Sequence, residues 1–243
     1  MTCPFHFNRR TFLAGAATAT AALGVQATTQ AQQADSPRGD GTPRSDNATV
    51  NNPEARLEFH GEHQQGIINQ PQKYAEIVAL DIQQGDRARL EQLLRTITER
   101  SRALTAGGAT AVDGIAFPAS DSGELGPDLP TDNLSITLAV GESLFDSRFG
   151  LANRKPARLR AMEAFADDTL NPDLCHGDLV LQICADQHDT VTHALRDILR
   201  HTRGDVAVRW RQNGYMNEPR PTGTQRNHLG FKDGIVNPSP KQF

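Results

Sequence analysis

Twice along this chain an apolar strand pattern runs into an amphipathic helix pattern and on to a further strand, an order that leaves few ways to bury every apolar face. Residues Tyr74 to Ile82 are apolar enough for a buried strand. Gly85-Asp86 then opens a run in which Leu90, Leu93, Leu94, Ile97 and Leu104 fall on one helical face. Past a Gly/Pro-rich loop, Leu134, Ile136, Leu138 and Val140 alternate with smaller or polar residues, the period of a half-buried strand. Leu179, Leu181 and Ile183 share one face of a third strand. Val191, Ala194, Leu195, Ile198 and Leu199 mark a second helix stopped by Gly204, and Val206, Val208 and Trp210 alternate in a fourth strand. The order β-α-β-β-α-β is the ferredoxin-like arrangement, an α+β fold, with about forty residues inserted between its middle strands. Right-handed crossovers put both helices on one face of an antiparallel sheet. The other face then needs a cover, and a second domain or a subunit interface is expected to supply part of it.

The 243 residues, 37% hydrophobic and 22% charged, suffice for one sizeable core. Not all of the chain belongs to it. Asn8-Arg9-Arg10-Thr11-Phe12-Leu13, followed by a mild Ala/Gly/Thr-rich stretch to about Val25, has the layout of a signal peptide. The Arg-Arg-x-Phe-Leu run resembles a twin-arginine signal, which carries folded proteins, often with a cofactor in place. An ordinary secretory signal is the alternative, since Asn8 and Ala14 depart from the usual twin-arginine pattern. Residues 1–31 are read as the signal, with periplasmic export as its consequence. Residues 32–56, polar and aperiodic, read as a flexible leader, and 57–225 as the folded domain. Removing residues 1–31 takes away two arginines and no acid, leaving 23 basic against 29 acidic side chains. That balance gives phosphate binding no support, so a nucleic-acid partner is set aside. No segment past the signal approaches the roughly 20 apolar residues of a membrane span. Cys175 and Cys184 remain in the mature chain and read as buried free thiols.

The strongest local motif is Gly230-Phe231-Lys232-Asp233-Gly234, in a Pro/Gly/Asn-rich tail, residues 226–243, that reads as a loop leading into further protein. Asp-Gly alone is a common turn dipeptide. Here it follows a ferredoxin-like unit, and other runs accompany it: Gly61-Glu62-His63-Gln64 with Gly66-Ile67, Ser143-Leu144-Phe145-Asp146, Arg148-Phe149-Gly150-Leu151, Cys175-His176-Gly177-Asp178, and His193 to Ile198. Together they resemble the dye-decolourising haem peroxidases, in particular their exported deferrochelatase branch. The resemblance implies the first half of a tandem ferredoxin-like fold holding haem b. It places the proximal histidine and a distal arginine in a second half beyond residue 243, so that no metal ligand lies in this chain. Asp233 would be the distal catalytic acid, with the backbone of Gly234, Ile235 and Val236 along the haem face.

An unperturbed Asp titrates near 3.9, so Asp233 is expected to act as an ionised base at mildly acidic pH, shuttling a proton between the oxygens of hydrogen peroxide. The implied activities are peroxide-driven oxidation of bulky reductants and release of iron from haem with the tetrapyrrole intact, within an iron-uptake system. The implied partners are hydrogen peroxide, haem or another reducing substrate, and iron-uptake components; homo-oligomerisation is compatible with the fold. A non-catalytic haem-binding or assembly module is the alternative from a different class. The eight histidines read as structural or solvated, His193 and His201 among the latter because they fall off the apolar stripe of their helix. Cys175-His176 lacks the preceding cysteine of a covalent haem site.

Overall fold

The computed structural model describes residues 54–83, 85–110, 121–219 and 225–232, all within one compact unit, Asn47–Phe243. The signal and nearly all of the leader lie outside the described residues. The elements are β1 (Tyr74–Ile82), α1 (Arg87–Ala106), β2 (Gly108–Ala109), β3 (Asp128–Leu129), β4 (Ser135–Val140), β5 (Leu179–Ala185), α2 (His188–His201) and β6 (Val206–Tyr215). The main sheet has the order β4-β5-β1-β6 with every pair antiparallel, and the two helices pack on each other and on one face of it. This is the expected ferredoxin-like unit. β2 and β3 form a separate two-stranded ribbon that the Gly/Pro-rich composition of that loop conceals.

Each helix starts and stops where local chemistry demands. Asp86, in extended conformation, accepts a hydrogen bond from the Arg89 amide and caps α1; Gly107 at φ +65° closes it, its N–H returning to the carbonyls of Ala103 and Leu104. Leu90, Leu93, Ile97 and Leu104 point into the core, joined by Ser101 and Thr105. α2 ends at His201, with Thr202 as its cap, three residues before Gly204. Thr202 stops it by donating its hydroxyl to the Ile198 carbonyl. Leu179, Leu181, Ile183, Val78 and Leu80 are fully buried beneath these helices together with Ile97 and Ile198.

One strand breaks the alternation read from sequence. Val206 and Val208 face the helices opposite Ile82 and Leu80, but Trp210 pairs with Ala79 and lies on the opposite face. Arg209 is the extra residue of a β-bulge, which turns its side chain along the insertion between β4 and β5. There it donates to the carbonyls of Cys175 (2.7 Å) and Pro172 (3.0 Å) and pairs with Asp81 (3.1 Å). Trp210 donates its indole N–H to the His176 carbonyl at 2.9 Å. The bulge thus holds the end of the insertion against β6.

The face away from the helices carries Ala75, Ile77, Val180, Gln182, Cys184, Thr137 and Trp210, which are half-buried, together with Ala79 and Ser135, which are fully buried. Two segments cover its margins. Gly66 lies against Thr137 and Gln182, and Gly177 lies against Ala79. Cys184 is a free thiol on this face, and burial pushes its pKa up; Cys175 is free as well.

Candidate functional site

Asp233, Gly234, Ile235 and Val236 lie outside the described residues, but the turn that delivers them does not. Residues 226–232 form a tight hairpin closed by a bridge between Arg226 and Lys232. Asn227 organises it: its Oδ1 accepts from the amides of Leu229 and Phe231 (3.1 Å each), and its own amide donates to the Phe231 carbonyl at 2.9 Å. Gly230 sits at φ +85°, where a side chain would be strained, and the Arg226 guanidinium donates to its carbonyl at 2.7 Å. Leu229 and Phe231 are left 81% and 68% exposed, two large apolar side chains presented immediately before Asp233.

The other motifs turn out to be scaffold. Asp178, at the start of β5, is buried and saturated. Its carboxylate accepts from the Ile82 amide (2.9 Å), the Ser143 hydroxyl (2.7 Å) and both terminal nitrogens of Arg148 (3.0 and 2.7 Å). Burial pulls the Asp178 pKa up, but the hydrogen bonds from Arg148, Ser143 and the Ile82 amide outweigh it and hold the carboxyl below its usual range. The same bond to Asp178, with help from Asp146, raises the Arg148 pKa against the opposing effect of burial. Gly141 packs so closely on the Gly177 carbonyl that a Cβ would lie 1.9 Å from that oxygen. Ser143, Arg148 and Asp178 therefore tie both ends of the long insertion to the end of β1. The pattern of the sequence marks Asp178 only as the polar residue before a strand; nothing local couples it to Arg148.

Gln64 pins the exposed edge of β4. Its amide donates to the Leu138 carbonyl (3.0 Å) and accepts from the Leu138 amide (2.8 Å), so one side chain substitutes for a neighbouring strand. Gly66, at φ +84°, lies where a Cβ would come 2.2 Å from Thr137 Oγ1.

His193 differs from its expected solvated state. It is 3% exposed, with Nε2 at 2.5 Å from Asp121 Oδ1. Burial pushes the Asp121 pKa up, but the bond from His193 and the backbone amides of Gly123 and Ser122 bring it below its ordinary value. The loop carrying Asp121 covers that side of α2, which helical periodicity has no means of registering. His201 is partly solvated as expected, its Nδ1 2.8 Å from the Asp197 carbonyl. Among the described residues no cluster of three or more His, Cys, Asp or Glu could hold a metal ion, and no helix is long and apolar enough to cross a membrane.

A family model described as Dyp-type peroxidase, N-terminal, matches residues 64–216. Deferrochelatase of Escherichia coli strain K12 is 48% identical over 194 residues, 76% of this chain and 46% of that protein. A DyP-type peroxidase from Cellulomonas bogoriensis has a similar structure, with a TM-score of 0.69 at 36% identity, over 79% of this chain and 52% of its own. DtpA from Streptomyces lividans, solved as an oxyferrous complex, gives 0.68 at 33% identity, over 77% and 50%. The chain spans about half the length of the relatives it matches.

Proposed function

The chain belongs to the Dyp-type peroxidase family, and on that premise we propose that it forms the first half of an exported haem enzyme that reduces hydrogen peroxide and releases iron from haem. The observation that carries the reading is the placement of Gly230-Phe231-Lys232-Asp233-Gly234 directly after a ferredoxin-like unit that the family model spans. The 48% identity to a deferrochelatase favours iron release as one of the activities, and the likeness to DyP-type peroxidases favours oxidation of bulky reductants as the other. In this reading residues 57–225 are the N-terminal domain and 226–243 the pocket loop. The proximal histidine comes from beyond residue 243. The half-covered sheet face receives the second domain.

The described residues fit a large planar apolar group at one place. Leu229 and Phe231, exposed beside a turn made rigid by Asn227, would gain a partner from a porphyrin. Asp233 and the backbone of Gly234, Ile235 and Val236 would complete that wall. Haem supplies the iron at which peroxide is reduced. With haem bound, the Asp233 carboxylate would accept the proton of one peroxide oxygen and return it to the other, which would leave as water as the O–O bond breaks with two electrons supplied by the haem. A proton relay is productive only within hydrogen-bond reach, and the Asn227 turn, which holds Leu229 and Phe231 in place, would be the anchor from which that carboxylate is positioned. Export follows the twin-arginine signal at Arg9-Arg10 to the periplasm, where an iron-uptake system would take up the iron.

In the haem-loaded protein, Asp233→Asn is expected to lower peroxide-dependent dye oxidation by about 100-fold or more, while haem uptake measured in the Soret band is unchanged. Undiminished turnover would remove Asp233 from the chemistry. Iron captured by a ferrous chelator, with intact tetrapyrrole recovered, identifies the second activity.

A further inference from the structure

A cavity of about 320 Å³ lies between α1, β4 and the segment running through Gly61-Glu62-His63-Gln64, on the side of the molecule that the haem reading does not use. Its size is at the lower end of small-molecule sites, roughly 300–1,000 Å³. Ile97 and Ile136, 1% and 3% exposed, line it together with Leu138, and Phe59, His60 and His63 contribute rings. None of its lining residues is Asp, Glu, Lys or Arg.

Gln65 also lines it, 4% exposed. Its amide nitrogen donates to the Leu57 carbonyl at 3.1 Å, yet its Oε1 is buried without a hydrogen-bond partner. A buried acceptor left unsatisfied costs about 1–3 kcal/mol, so a folded chain rarely keeps one without a use. The residue is held in place from both sides. Gln64 is bonded twice to Leu138, and the Thr137 hydroxyl donates to the Gln65 carbonyl at 2.5 Å. Thr98 and Ser101 add hydroxyls to the same wall, and rigid placement of an acceptor beside rings and aliphatic side chains is how a specific ligand is recognised at low entropic cost.

We propose that this cavity binds an uncharged, single-ring aromatic molecule whose O–H or N–H donates to Gln65 Oε1. With no Asp, Glu, Lys or Arg in the lining and the Arg102 guanidinium already stacked on the Phe59 ring at 5.0 Å, an uncharged ligand is favoured over an ionic one. The aromatic rings favour a flat partner through stacked or edge contacts. The proposal stands apart from the peroxidase reading, because it rests on neither haem nor Asp233.

The test titrates the protein with phenol and with anisole, which keeps the ring and lacks the donor, following the backbone and side-chain amide resonances of residues 57–66 by NMR. Saturable shifts with phenol and about tenfold weaker binding of anisole are expected. Gln65→Met, close to glutamine in length but without the acceptor, should bring phenol down to the anisole level and leave anisole unchanged. Should that variant fail to fold, Leu138→Trp, which fills the cavity from the edge strand, should abolish both. The proposal is overturned if phenol and anisole bind alike, if Leu138→Trp binds phenol as the native protein does, or if phenol moves no resonance in this segment up to its solubility, as when Oε1 is satisfied by water alone.

Discussion

The two faces of the main sheet share the same strands and differ in what the sequence places on them. On β5 the residues facing the helices, Leu179, Leu181, Ile183 and Ala185, are fully buried, while the intervening Val180, Gln182 and Cys184 are half-covered. Large aliphatic side chains close one face over its central strands, leaving Val140 and Val208 on the outer strands 42% and 43% exposed. The other mixes apolar and polar side chains, Ile77, Val180 and Trp210 beside Gln182 and Cys184, all half-covered, with full cover only over Ser135 and Ala79, near Gly66 and Gly177. A sheet whose two faces are solvated to different degrees shows its purpose in that asymmetry: the packed face stabilises the domain, and the open one is free to be occupied by something else.

Truncation on the packed face should have the largest effect. Leu181→Ala is expected to cost about 2–5 kcal/mol, against about 1 kcal/mol for Val180→Ala next to it, both read from urea midpoints. Equal losses would mean that the open face is closed in solution and would dissolve the contrast.

Next in size is the knot that ties the insertion to the sheet. Asp178→Asn should lose about 2–3 kcal/mol, because the Arg148 guanidinium loses its buried carboxylate partner, keeping Asp146 and the Ser143 carbonyl, and one buried donor is left without an acceptor. Its pH dependence has a definite sign. The folded carboxyl titrates below its unfolded value of about 3.9, so its contribution is complete above that value and disappears as pH falls through the folded pKa. Native stability should therefore decline with acid below about pH 4, and the variant should show a shallower acid limb in pH-dependent urea melts.

The smallest effect concerns the sheet edge. Gln64→Ala removes two exposed hydrogen bonds to Leu138, a loss of about 1 kcal/mol in thermal denaturation. With the edge of β4 uncapped, sedimentation should also reveal more self-association than the native chain shows.

Much of the architecture was legible because it depends on neighbours. Tyr74–Ile82 reads as a strand from its own composition, and Asp86 and Gly107 punctuate α1 within a turn of its ends. The misreadings have one character. Trp210 changes face because of a bulge at Arg209, and that bulge answers to Cys175 and Pro172, more than thirty residues away in sequence. His193 is buried because a loop some seventy residues upstream supplies Asp121. Of the candidate site, the signature was visible as a motif, whereas the turn that presents it depends on Asn227, an unremarkable residue in a polar tail.

By itself the sequence determined the order of the main-sheet strands and the two helices, the faces that β1, β4, β5 and the helices bury, and the family to which the signature points, since periodicity and capping act over a few residues. Only the tertiary structure decided that Arg148 and Ser143 converge on Asp178, that Gln64 caps an edge strand 74 residues away, and that Gln65 carries a buried acceptor beside a cavity. Such contacts are satisfied by whichever polar group the fold brings within about 3 Å, and no local pattern records which one that is.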